Sequence, residues 1–256
     1  MICRHAAFGS KLDVSGLNEI TVLIDRSETE RTEVALNTWQ PGIDGPPHKH
    51  ERKEQSFLVL SGHGEVIVGG RTFPAGPGTL FFLPADVVHQ TIARGDTPLQ
   101  YFLFNAFLDS DKEGHASFAA HIDAVKHIRR QQADERRADV SSSVAQPPET
   151  AGGMCGLSIP LPDSLTGSVV LLAASPSKRC EIILHAVPAG GGSVIASHSA
   201  KEQTLYVLSG SGRVEIGGEC AEVGEGHTLF QPRHVTANLV AGQDGMRVVA
   251  FGTFVC

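Results

Sequence analysis

Four side chains in the first hundred residues are of types that do chemistry together: His48, His50, Gln55 and His89. His48 and His50 are two apart, so on an extended strand both imidazoles project from the same face. Gln55 follows a charged turn, Glu51-Arg52-Lys53, and His89 follows the turn Pro84-Ala85-Asp86-Val87-Val88 at the expected start of a later strand. Three imidazoles and one amide oxygen suit one divalent transition metal ion: Fe, Mn, Ni, Zn or Co. Every member of this set is uncharged. A dication held there keeps its full charge and acts as a Lewis acid toward anionic chelators.

Such a set needs strands that close around it, and the chain supplies them twice. Glu54-Gln55-Ser56-Phe57-Leu58-Val59-Leu60-Ser61-Gly62 returns as Glu202-Gln203-Thr204-Leu205-Tyr206-Val207-Leu208-Ser209-Gly210, an offset of 148 positions. The same offset carries Gly64 to Gly212, Gly78 to Gly226, Phe82 to Phe230 and Pro84 to Pro232 without a gap. Repeats of this length indicate two related domains. Each copy reads as short strands between glycine turns: Thr32 to Trp39, Phe57 to Leu60, Glu65 to Val68 and Thr79 to Leu83 in the first, with Cys180 to Leu184 and Arg247 to Phe251 in the second. That rhythm indicates a sandwich or barrel. Between the copies, Phe118, Ile122, Val125 and Ile128 recur at helical spacing. Arg129 to Val140 reads as an exposed continuation of that helix, with His115, His121 and His127 solvated. Ser141-Ser142-Ser143 and Pro147-Pro148 read as a linker.

With those residues in view, the chain resembles the cupin superfamily. Gly42, His48, His50, Gln55 and Gly62 match its first motif, and Gly78, Pro84 and His89 its second. The resemblance implies an all-β fold of two tandem jelly-roll barrels with a helical segment between them. It places an N-terminal metal-binding barrel at 1–110, a helical segment and linker at 111–150, and a C-terminal barrel with a degenerate site at 151–256. It also implies that His48, His50, Gln55 and His89 are the metal ligands. Two departures stand out: Gln55 replaces the usual acidic ligand, and Ala93 occupies a position where the family has Asn. In the second copy the offset gives Ala196, His198, Gln203 and Ala237. Two imidazoles are lost, and that barrel is expected to be metal-free.

Composition narrows the function. A net charge of −7 without a long basic run argues against nucleic acid. No apolar run approaches the roughly 20 residues of a membrane span. Five widely spaced cysteines suit a reduced compartment, and with no signal peptide evident the expected location is the cytoplasm. The expected partner is a small-molecule substrate, with the chain a monomer or a homodimer. The expected activity is that of a metal-dependent isomerase or lyase on a small anionic carbonyl compound, such as a sugar acid or keto acid. A dioxygenase similar to the flavonol-cleaving cupins and a non-catalytic binding protein are the alternatives. Trp39 and Phe82 are candidate pocket walls, Tyr101 and Asn105 share a parity, and Lys49 should face away. No catalytic residue is assigned.

Overall fold

The apolar runs form strands where the spacing places them. Thr32–Trp39 and Thr79–Leu83 have the expected limits, and Phe57 to Leu60 is the middle of a longer strand, Lys53–Ser61. The computed structural model describes residues 1–139, 157–173, 175 and 177–255. It is predominantly β, with one α-helix among the described residues. The Ser141–Ser143 and Pro147-Pro148 linker lies outside the described residues. The chain divides into two units.

One unit comprises 10–27 and 33–161. Its larger sheet is antiparallel, in the order Leu157–Pro160, Thr79–Leu83, Lys53–Ser61, Leu99–Phe107, Thr32–Trp39, Asn18–Ile24, Ser10–Asp13. A second sheet joins Arg71–Ala75, His63–Val68 and His89–Arg94. Side chains from both sheets share one apolar core: Phe57, Phe81, Leu83, Tyr101 and Leu103 from the larger, and Val66, Val68 and Ala93 from the smaller. Phe81 and Leu83 point into this core. Phe82, one residue out of phase, is buried apart from it, because neighbours on a strand face opposite ways.

The helix Phe118–Asp139 belongs to this unit. Ser117 caps it by accepting a hydrogen bond from the Ala120 N–H (3.1 Å), and the Phe118 N–H donates to Asp25 Oδ2 (2.9 Å). Phe118, Ile122 and Ala133 are buried in the shared core. Beyond Ile128 the helix exposes Gln131, Gln132, Asp134 and Glu135, as its charge suggests, but Ala133 is buried and Arg129 and Arg130 are half-buried. Of the expected apolar series, Ile128 faces solvent, at 57% exposure.

The other unit comprises 1–9, 28–32 and 162–256. Its sheet runs Ile2–His5, His227–Gln231, Lys201–Ile216, Ala237–Phe254, Cys180–Val187, Gly167–Leu172, with Gly192–Ile195 and Glu219–Gly224 paired to the two long strands. Each long strand is irregular near the repeated glycines, where the register shifts between Val207 and Ser209 and between Gly210 and Gly212. The glycines kept by the repeat have a steric reason. A Cβ on Gly64 would lie 2.1 Å from the Ile92 carbonyl oxygen, and one on Gly212 would lie 2.2 Å from that of Val240. The same close backbone approach is built in both copies.

The units are not consecutive halves of the chain. Leu157–Pro160 completes the sheet of the first unit, and Ile2–His5 that of the second. No disulfide forms among the described cysteines Cys3, Cys180 and Cys220. Among the described residues no helix is long and apolar enough to cross a membrane.

Candidate metal centre

The segment carrying His48 and His50 is not a regular strand. Pro46-Pro47 removes two backbone donors just before it, which prevents a continuous ladder. Single backbone links hold it instead. The His48 N–H donates to the His89 carbonyl (3.0 Å), the His89 N–H to that of His48 (2.8 Å), and the Asp86 N–H to that of His50 (2.7 Å). The two histidines still converge, and His89 joins them from the start of its strand. The three rings lie 4.5–5.5 Å apart between centroids. One ring nitrogen from each can be chosen so that all lie within 4.8 Å of one another.

Hydrogen bonds fix which nitrogen that is. His48 Nδ1 lies 3.0 Å from the Pro46 carbonyl and His89 Nδ1 3.1 Å from that of Val87. A carbonyl only accepts, so each Nδ1 carries the proton and each Nε2 keeps a lone pair. His50 Nδ1 faces Glu113 Oε1 at 3.4 Å, a contact of the same sense. His50 Nε2 and His89 Nε2 are buried without a hydrogen-bond partner.

Gln55 is oriented by a longer relay. Glu33 is a buried carboxylate paired with the buried Arg26 guanidinium. It accepts from Asn105 Nδ2 at 2.7 Å, so the Asn105 amide must turn its Oδ1 away, and that oxygen accepts from Gln55 Nε2 at 2.9 Å. The relay leaves Gln55 Oε1 buried and without a partner. Gln55 lines one recess with His48 and His50, and the adjacent Glu54 does not.

The recess holds about 30 Å³, room for a single water-sized species. Trp39 and Tyr101 line it, while Phe82 does not. Tyr101 Oη accepts from Asn37 Nδ2 (2.9 Å) and Trp39 Nε1 (3.0 Å), and Thr91 Oγ1 lies 3.4 Å away. Burial pushes the Tyr101 phenol up to about 12, so it stays protonated. Lys49 turns outward to Asp86, at 2.6 Å.

A wider vestibule of about 330 Å³ adjoins the recess, lined by His48, His50, Glu113, His115, His121 and Arg129 among others. Several of these residues gave no signal in the sequence. Glu113 sits on a turn with φ of 64°, next to Lys112 at 50°, an uncommon conformation for residues with a side chain. It accepts from Lys53 Nζ at 2.9 Å. Burial would raise the Glu113 carboxyl, but the Lys53 charge and hydrogen bond hold it below its ordinary value. His121 is buried, at 6% exposure, rather than solvated. Burial, reinforced by the Lys53 charge, lowers it to about 2. His127 is exposed, as expected.

All three clustered imidazoles are neutral at ordinary pH. Burial is the main cause for each. His48 is lowered further by the Arg129 charge, and His50 by those of Lys53 and Arg129. His89 falls to about 4 even though the Val87 carbonyl favours its protonated form.

In the second unit the matching interior is packed. Leu205, Val207, Val214, Leu229, Leu239 and Val248 form its core. Gln203, the counterpart of Gln55, donates to Gln231 at 3.1 Å, and Gln231 is tied to the backbone carbonyls of Ile195 and Val235.

Comparison with known proteins agrees with this geometry. Residues 35–105, which contain all four expected ligands, match the family model described as Cupin domain. This segment is a cupin domain. Solved structures similar to the whole chain are also cupins. Protein YlbA from E. coli matches with a TM-score of 0.70 at 14% identity, covering 98% of this chain and 89% of its own. An oxalate decarboxylase from Bacillus subtilis matches at 0.67 and 15%, covering 100% and 78%. The coconut allergen cocosin matches at 0.68 and 14%, covering 96% and 84%. No curated protein sequence matches the chain.

Proposed function

We propose that His48, His50, His89 and Gln55 bind one divalent transition metal ion, and that the cupin domain uses it as an enzyme on a small anionic carbonyl compound, in isomerase or lyase chemistry. One observation carries this reading. The buried lone pairs of His50 Nε2, His89 Nε2 and Gln55 Oε1 lack partners while the opposite atom of each group is engaged. Leaving such atoms unpaired is costly, and a cation satisfies them together. The donor set of three imidazoles and an amide oxygen fits Mn, Fe, Co, Ni or Zn.

When bound, the ion supplies Lewis acidity toward the oxygens of a chelating substrate. The protein's own groups do the rest. The relay from Glu33 through Asn105 keeps the Gln55 oxygen, rather than its NH₂, toward the ion. Trp39 and Tyr101 wall the recess and limit its water. Glu113 is the carboxylate of the vestibule, held ionised by Lys53, and is the candidate proton acceptor. One structural neighbour is, by name, an oxalate decarboxylase with Mn(II) centres, consistent with a metal and a small acid here. The 148-residue repeat supports reading the chain as a bicupin whose second site has been lost.

The test is elemental analysis of purified protein beside His50→Ala. The expected result is about one equivalent of metal per chain in the wild type and a large loss in the variant. Equal metal in both would remove the site. Activity screening under air and under nitrogen then distinguishes an isomerase or lyase from a dioxygenase, which must consume O₂.

A further inference from the structure

Phe118, Ile122, Val125, Arg129 and Ala133 recur at steps of three and four, so they share one face of the helix. Phe118, Ile122 and Ala133 use that face to enter the apolar core. Arg129 occupies a core-facing position and is charged. Its side chain lines both the recess, beside Gln55, His48 and His50, and the vestibule that leads to it. Among the described residues it makes no hydrogen bond or ion pair. The vestibule's carboxylate, Glu113, is already engaged by Lys53.

The charges around the cavity therefore do not balance. His48, His50, His89 and Gln55 are neutral, and Lys53 and Glu113 offset one another. Arg129 remains as an unmatched cation, and a dication in the recess would add two further charges of the same sign. Two cations facing one small cavity repel unless an anion lies between them. A planar guanidinium with unfilled donors is matched best by a carboxylate, which it grips with two parallel hydrogen bonds.

We propose that Arg129 is the substrate-binding residue that selects a carboxylate, receiving it at the vestibule end while the rest of the molecule reaches the recess. The substrate class is thereby narrowed from small anionic carbonyl compounds to carboxylic acids small enough for a vestibule of about 330 Å³. The metal-facing half of this statement rests on the proposed function; the Arg129–carboxylate contact does not.

The experiment measures binding of oxalate, malonate and succinate, with malonamide as the uncharged control, by calorimetry. It uses metal-free protein and Mn(II)-loaded protein, as wild type, Arg129→Gln and Arg129→Lys. Circular dichroism and metal content are recorded for each variant. The expected result is binding of at least one diacid to the wild type, no comparable binding of malonamide, and unchanged metal content in the variants. Affinity should fall at least about tenfold in Arg129→Gln, with partial recovery in Arg129→Lys. If the wild type holds no metal but the Arg129-dependent binding persists without it, the metal reading fails and this inference stands. Equal affinity in wild type and folded Arg129→Gln, equal binding of malonamide, or no diacid binding to the wild type in either form overturns the inference.

Discussion

At the residue scale, the orientation of one amide decides what the recess can hold. Gln55 presents oxygen because Asn105 is forced to, and Asn105 because Glu33 only accepts. If the recess binds the proposed ion, Asn105→Leu should weaken that binding although none of the proposed ligands is altered. A loss of about 10–100-fold in affinity is expected for the removal of such a partner, read by competition with a chelating dye. The buried imidazoles set the pH response of the metal-free protein. His89 is lowered to about 4, whereas in the unfolded chain it titrates near its ordinary 6.5. Between those values the unfolded state binds the extra proton, so stability is lost as pH falls from about 6.5 to 4. His89 alone accounts for about 3 kcal/mol, and His48, His50 and His121 act in the same direction. Urea unfolding of metal-free protein at pH 7 and pH 5 should show a lower midpoint at pH 5, and an unchanged midpoint would contradict the burial of these rings. The clustering of His48, His50 and His89 was legible because their spacing is a pattern. Glu113 was not, since a lone acid in an irregular turn carries no periodicity. Arg129 left a trace: it fits the apolar spacing of Phe118 and Ile122 better than Ile128 does, but its charge argued for solvent.

At the scale of elements, the helix Phe118–Asp139 holds the open end of the site and so links stability to binding. Ile122→Ala removes a buried side chain and should cost about 2–5 kcal/mol. Part of that loss should appear as local opening of the helix, seen as faster amide exchange over 118–133 than over Lys53–Ser61. Ser117→Ala, which loses only the cap, should cost about 1 kcal/mol. The strands were readable because glycine turns and alternation mark them. The segment around His48 reads as a strand in the sequence but is a loop with one isolated bridge, because two histidines two apart look the same in any extended chain and only Pro46-Pro47 hints that the ladder is interrupted. The shared glycines carry a matched prediction. Gly64→Ala and Gly212→Ala each press a methyl group against a backbone carbonyl, and each should destabilise its own unit by on the order of 1–3 kcal/mol. Calorimetry of the two variants should show the loss in different transitions.

At the scale of the molecule, the repeat pointed to two units, and the chain divides into two, but the repeat did not show which strand belongs to which. Ile2–His5 and Leu157–Pro160 are short, and neither differs in composition from an ordinary surface strand, so nothing local reports where each pairs. The proposed metal site lies within 10–27 and 33–161. Deletion of residues 1–9 should therefore leave metal content near that of the full chain. The same deletion uncovers the edge at His227–Gln231, which should lower the unfolding temperature of the other unit and make it susceptible to mild protease.

The pairing of Ile2–His5 with Phe230 and its neighbours also sets an order of events during synthesis. The strand Ile2–His5 is separated from its partner by roughly 220 residues, which at about 5–20 residues per second is a wait of roughly 10–45 seconds. Through that interval Ile2–His5 has no edge to join, and a nascent neighbour on the same message offers the same edge. Slowing translation late in the chain should therefore raise the fraction of protein recovered as exchanged dimers or aggregates.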